Sequence, residues 1–147
     1  MSKELELKIV TPEKLILDEK VESVTIPTTQ GEISILVDHI PIVAQLASGD
    51  IVATSKGEFI PMAVVGGFVE VKKEKDKTVV AILADFAEHI SDINDEEIEK
   101  AKAKAEELKK QAENQEVVDF EHFTTELERS LTRVRIADKW RKRKYRK

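Results

Sequence analysis

The apolar residues of this chain change period once, near Ile93, and that change divides it into two parts. Before it they alternate in short runs punctuated by Gly and Pro; after it they recur at helical spacing, with no Gly or Pro to the last residue. Alternation turns one side of an extended strand toward a core, whereas spacing of three and four residues turns one stripe of a helix. A β body followed by a helical hairpin is the expected order. Charge divides the chain too. Residues 1–128 carry 14 Lys and Arg against 28 Asp and Glu, net −14, while residues 129–147 carry 10 against one, net +9. Helices that end so positive on an acidic chain suggest an acidic partner.

At 147 residues the chain has room for one typical domain, or for a ~90-residue domain with an appendage. Val and Ile crowd the first part, Ala and Leu the second. The absence of cysteine excludes disulfide and thiol chemistry and fits a reducing compartment. No secretory signal is visible in Met1-Ser2-Lys3-Glu4-Leu5, where strand-like alternation begins at once. No apolar run approaches the ~20 residues of a membrane span. Work at a membrane would go through a partner.

In the first part Leu5, Leu7 and Ile9 alternate with Glu4, Glu6 and Lys8, and Thr11-Pro12 ends the run. A second alternation over Val21–Ile26 closes at Pro27 and the Gln30-Gly31 turn, and Ile33 and Ile35 open a third. Ile51-Val52-Ala53, the Lys56-Gly57 turn into Phe59-Ile60, Val64-Val65, Phe68–Val71 and Val79–Ala84 complete the series, with a charged turn over 72–77. About eight to ten short strands at this spacing indicate an antiparallel β-sandwich or barrel. Gly66-Gly67 within strand-like sequence reads as a bulge or a close backbone approach. A phosphate-cradling loop would need a following helix and a G-x-x-x-x-G-K-S/T pattern, and neither is present. His39, in Asp38-His39-Ile40-Pro41, lies far along the sequence from His89 and His122, without metal-ligand spacing. It reads as a turn residue before a Pro-started strand. No catalytic constellation emerges.

In the second part Asn94 can cap a helix whose first turn, Asp95-Glu96-Glu97, is acidic and favours the helix dipole. Ile98, Ala101, Ala105, Leu108 and Ala112 then recur at spacings of 3, 4, 3 and 4, a narrow seam for a neighbouring helix. Lys100, Lys102, Lys104, Lys109 and Lys110 interleave with Glu99, Glu106 and Glu107 as a solvated face. Asn114-Gln115-Glu116 breaks the seam and Asp119 can cap a second helix. Phe120, Phe123, Leu127, Leu131, Val134, Ala137 and Trp140 mark its expected apolar stripe. A short polar connection makes the pair antiparallel, and so thin a seam needs the β body or a partner for stability. The hairpin is therefore expected to dock on the β body or to extend from it. The last stretch, Lys139 to Lys147, mixes cations with Trp140 and Tyr145. By composition it suits an acidic protein, nucleic acid or an anionic membrane surface, or it is a solvated tail.

Three motifs in order give the sequence a family. Gly31-Glu32-Ile33-Ser34-Ile35 followed by His39-Ile40-Pro41-Ile42-Val43 resembles the G-E-x-x-I/L and H-x-P-L/I pattern of the epsilon subunits of bacterial F-type rotary ATP synthases (delta in mitochondrial naming). Val64-Val65-Gly66-Gly67-Phe68-Val69-Glu70-Val71 resembles their G-G-x-x-E-V strand, and Ile82-Leu83-Ala84-Asp85-Phe86-Ala87-Glu88 their V-L-A-D-x-A-E segment. The likeness covers nearly the whole length. Asp38 departs from it, since members often carry Gly before the His.

The resemblance implies a non-catalytic rotor subunit, peripheral on the cytoplasmic face of the bacterial cell membrane. Residues 1–90 would form the sandwich that binds the gamma subunit and the c-subunit ring, with Glu32, His39 and Pro41 in its contact motif. Residues 91–147 would form a regulatory hairpin that extends into the alpha/beta catalytic head and blocks ATP hydrolysis. Arg129, Arg133 and Arg135 would meet an acidic segment of beta there. Some members also bind a regulatory ATP through an I/L-D-x-x-R-A motif and two helix-two arginines. Arg129 and Arg133 fit the second half of that pattern, while Glu97, Lys100 and Ala101 are a degraded version of the first, and Lys lacks the bidentate fork of Arg. No cofactor is otherwise implied. The rival reading is a stand-alone sandwich adaptor whose basic helix binds nucleic acid.

Overall fold

Leu5, Leu7 and Ile9 are fully buried between half-buried or exposed Glu6, Lys8 and Val10, the one-sided strand that the alternation predicts, β1 (Leu5–Val10). The structure is a computed structural model that describes residues 4–113 and 120–146. Seven further strands come after it: β2 (Leu15–Val21), β3 (Ser23–Thr28), β4 (Gly31–Leu36), β5 (Ile42–Gln45), β6 (Gly49–Ser55), β7 (Glu58–Glu74) and β8 (Lys77–His89). A 3-10 turn, Ile90–Asp92, leads to two helices, α1 (Asp95–Glu113) and α2 (Phe120–Trp140).

The strands hydrogen-bond in the order β2-β1-β8-β7-β6-β3-β4, with β5 added on β7. Side chains from across that order, including Leu7 of β1, Ile26 of β3 and Ile35 of β4, share one core. The sheet therefore folds over on itself as a sandwich. β2 and β4 end the order and do not pair with each other among the described residues, so it is not a closed barrel. All pairing is antiparallel except that β1 lies parallel to β8, from Glu6 opposite Val79 to Val10 opposite Leu83. Alternation reports which face is buried and says nothing of strand direction, so this pair was not legible. Nor was a separate β2, whereas β5 follows Pro41 where a Pro-started strand was expected.

Two-residue hairpins at Lys56-Gly57 and Lys75-Asp76 hold all four residues at positive φ, as the twist of a tight hairpin requires. The charged turn expected over 72–77 is thus only two residues long, its flanks belonging to strands. At Gly67, φ is 116° and a Cβ would collide with the Leu83 carbonyl of β8, so the glycine serves close strand packing. Beyond it β7 changes neighbour. Its first half pairs β6, its second half β5.

Asn94 caps α1 as expected: its Oδ1 accepts from the Glu97 N–H at 2.9 Å. Ile98, Ala101, Ala105 and Leu108 are buried, but Ala112 is exposed, because the seam runs out before the helix does. On α2, Phe123, Ala137 and Trp140 are buried and Leu127 and Val134 half-buried. Leu131 is 41% exposed, contrary to the expected stripe, while Ser130, Thr132 and Ile136 are buried. The reason is that α2 faces two neighbours, α1 and the sandwich, and a single heptad stripe describes only one. The Asn114-Gln115-Glu116 break, the Asp119 cap and the Phe120 side chain lie outside the described residues.

The hairpin is docked on the sandwich through a second, smaller core. Ile90 of the 3-10 turn, Ile93 just past it, Ile98 of α1, and Ile136, Ala137 and Trp140 of α2 pack with Ala63 of β7.

Candidate functional site

The docked face of α2 is where the charge asymmetry of the chain is resolved. Arg133 reaches both the sandwich and α1. Its Nε donates to Glu88 Oε2 at 2.7 Å, and its Nη2 to Glu88 Oε1 at 3.2 Å and to Glu97 Oε2 at 3.1 Å. Glu97 is available because it stands in the first turn behind the Asn94 cap, and Glu88 because β8 ends there. Burial works against the Arg133 charge, but the bonded carboxylates of Glu88 and Glu97 outweigh it and hold the guanidinium pKa above its ordinary value. One turn earlier, Arg129 stacks its guanidinium 5.2 Å from the Phe86 ring centroid. Its Nε is buried without a hydrogen-bond partner. Arg135 is exposed, and its Nη2 lies 3.4 Å from the Ser48 carbonyl. Two of the three arginines expected to meet a partner are therefore turned inward.

Between the two helices and Phe86 lies a cleft of about 330 Å³. Glu97, Lys100, Ala101, Arg129 and Arg133, the residues of the expected nucleotide motif, all line it. The folding of the hairpin thus brings together residues more than a turn apart on separate helices. Three of the cations there are already paired, Lys100 with Glu96 at 3.3 Å, Lys104 on the rim with Glu126 at 3.4 Å, and Arg133 with its two carboxylates, whereas the Arg129 Nε is not.

The sandwich motif is more dispersed. Glu32 is exposed on β4 opposite Pro27. His39 and Pro41 lie past the other end of that strand, so the length of β4 separates them from Glu32. The His39 ring donates from Nδ1 to the Ile40 carbonyl at 2.7 Å, and its backbone N–H bonds the Leu36 carbonyl at 3.1 Å, a turn as expected. Asp38 takes φ 67°, the left-handed conformation that suits Gly, and its N–H is held by Thr78 Oγ1 at 2.7 Å. The departure at this position leaves a left-handed turn there.

Sequence reading missed an apolar row on the outer face of the sandwich. Leu15 stands opposite Val10, Val10 opposite Leu83, and Leu83 opposite Phe68. Val43 lies on the diagonal, two residues from the Gln45 that pairs with Phe68. Leu15, Leu83, Phe68 and Val43 are all more than half exposed. Apolar residues on both faces of β8, as in Ile82-Leu83-Ala84, were the available signal. Contiguous exposed apolar surface of this kind marks an interaction site. Among the described residues no group of acidic, His or Cys side chains is placed to hold a metal ion, and no helix is long and apolar enough to cross a membrane.

Residues 4–90 match the family described as ATP synthase, Delta/Epsilon chain, beta-sandwich domain. The chain belongs to that family. Whole-length relatives agree. The ATP synthase epsilon chain of Nitratidesulfovibrio vulgaris is 39% identical over 136 residues, covering 92% of this chain and 97% of that one. The epsilon chain of Halalkalibacterium halodurans is 40% identical over 134 residues, covering 90% and 96%. A chain of the Euglena gracilis mitochondrial ATP synthase, solved as OSCP/F1/c-ring, superposes with a TM-score of 0.64 at 25% identity, covering 94% of this chain and 79% of its own. This is a family of non-catalytic ATP synthase subunits, and both the sandwich and the two-helix extension lie within the likeness.

Proposed function

We propose that this chain is a central-stalk rotor subunit with two working surfaces, one for coupling and one for regulation. The apolar row across Leu15, Val10, Leu83, Phe68 and Val43 docks on the gamma subunit, and the segments around Glu32 and His39–Pro41 meet the c-subunit ring. The chain then sits peripherally on the cytoplasmic face of the bacterial membrane through its complex. The hairpin regulates. When it leaves the sandwich, the inward-turned Arg129 and Arg133, together with Arg135, become available to the acidic segment of beta in the alpha/beta head, and ATP hydrolysis stops. The observation that carries this reading is the docking itself: the hairpin has its own small core and is fastened by ion pairs, outside the main sandwich core. Such an element can be released without unfolding what holds it.

Steady-state ATP hydrolysis by a gamma-containing catalytic head tests it, with the full chain and with a version ending at Asp92. Inhibition by the full chain alone is expected. Equal rates despite tight binding to gamma would leave a coupling subunit without a brake, and no binding to gamma by either form would sink the rotor reading. The hairpin is read as needing no bound cofactor. A phosphate entering the cleft at Arg133 would have to displace Glu88 and Glu97, which already supply the anions there. Calorimetric titration with ATP is expected to give no affinity tighter than millimolar, and micromolar binding would reverse this reading. The two aromatics that would stack on bases are engaged within the chain, which weighs against nucleic acid: Trp140 is buried and Tyr145 packs on it.

A further inference from the structure

The chain continues past the last turn of α2, and this final stretch, with the end of the helix, is fastened to the sandwich at three strands. Asp50 of β6 is buried and receives two donors from the end of α2. Lys139 Nζ lies 2.9 and 3.1 Å from its oxygens, and Trp140 Nε1 donates to Oδ2 at 2.9 Å. A buried carboxylate is tolerated only when so partnered. Trp140 is at once the centre of an aromatic cluster, edge-on to Phe59 of β7 at 5.8 Å and to Tyr145 at 6.2 Å between ring centroids. The backbone joins in as well. The Arg146 N–H donates to the Phe59 carbonyl at 2.8 Å, on a stretch of β7 that β8 does not reach, since their pairing ends at Met62 opposite His89. Finally, Arg146 forks onto Glu19 of β2. Its Nη1 lies 2.9 Å from Oε2, and its Nη2 bonds Oε1.

None of these contacts belongs to the seam between α1 and α2, and none uses Arg129 or Arg133. They lie where α2, returning antiparallel to α1, comes back beside the 3-10 turn that tethers the hairpin. We propose that Lys139–Arg146 is a latch, separate from the helix seam, whose grip on Glu19, Asp50 and Phe59 sets how often the hairpin leaves the sandwich. The tether survives release; the latch cannot. α2 is unable to lift off without withdrawing Trp140 from the Asp50 and Phe59 site. Two of the latch cations, Lys139 and Arg146, are met by carboxylates of the sandwich, so at these two points the docked state is a charge match within the chain and an acidic surface elsewhere competes for the same groups. The latch itself is a property of the isolated chain and does not depend on what the hairpin meets afterwards.

Amide hydrogen exchange of the full-length chain, free in solution, tests this. In Glu19→Lys, and separately in Arg146→Glu, amides of α2 should exchange about fivefold faster, the scale of one partly exposed forked pair. Glu19→Lys/Arg146→Glu restores an ion pair with its charges reversed but without the fork, and should bring α2 most of the way back to the wild-type rate. Phe59→Ala, which removes an aromatic edge from a half-exposed position, should also accelerate α2, while β1 and β8 keep their protection in every variant. Unchanged α2 exchange in the single variants overturns the latch. So does a loss that the double reversal fails to restore, or one that spreads equally through β1 and β8.

Discussion

Arg133 touches an element at each end of its guanidinium, Glu88 closing β8 and Glu97 opening α1, and it does so from half-buried surroundings. Its planar fork is what makes this possible, because an ammonium presents a point charge without two parallel donors. Arg133→Lys is expected to lower the unfolding free energy by about 1 kcal/mol. Arg133→Ala leaves two partly buried carboxylates facing one another and should cost about 2 kcal/mol. Urea denaturation followed by far-UV dichroism reads both, and a cost for Lys equal to that for Ala would show that geometry is irrelevant. The sequence marks Arg133 by its spacing from Arg129 alone. That spacing says which arginines share a helix face, and nothing in it reports that the first anions they meet are the chain's own.

At the scale of elements, what was legible depends on how many neighbours an element has. β1 faces one core and its alternation gives Leu5, Leu7 and Ile9 without error; α1 meets one seam and yields Ile98, Ala101, Ala105 and Leu108. α2 meets two neighbours, so its buried set mixes Ser130 and Thr132 with Ile136 and leaves Leu131 outside. Periodicity resolves one contact surface and blurs two. The apolar row on the sandwich was missed for a related reason: Phe68 and Leu83 point away from the core yet look like core by composition. The two-surface view of α2 has a direct check. Ile136→Ala opens a hole in the smaller core and should cost about 2–4 kcal/mol. Leu131→Ala removes a side chain that is 41% exposed and should cost less, about 1 kcal/mol. Comparable losses for the two would restore the single-stripe picture.

Across the whole molecule, the junction between sandwich and hairpin concentrates groups that acid attacks. The Ser91 N–H donates to His89 Nδ1 at 2.9 Å, capping the 3-10 turn, which requires that ring nitrogen to be unprotonated. Burial, with Arg146 adding to it, holds the His89 pKa below 6.5, while Asp92 and Glu19 oppose it. Glu19 itself is held below 4.5 by its bond to Arg146, against burial. Both folded values are depressed, so both groups contribute stability above their unfolded values that is lost as pH falls through the folded ones. The melting temperature should therefore decline in two windows, one beginning below pH 6.5 and one below pH 4.5. His89→Gln should abolish the first alone; a melting temperature flat down to pH 5 in the parent chain would contradict the assignment. The parallel partnership of β1 and β8 bears on synthesis instead. The first strand of the sandwich, β1, has to wait for the last, β8, before one of its edges is covered, so closure is a long-range event and comparatively slow. Until residue 89 has emerged, β1 and its partner β2 form an exposed ribbon, vulnerable to pairing with a neighbouring nascent chain. The helices leave the ribosome only after the last strand of the sandwich, on which they then dock.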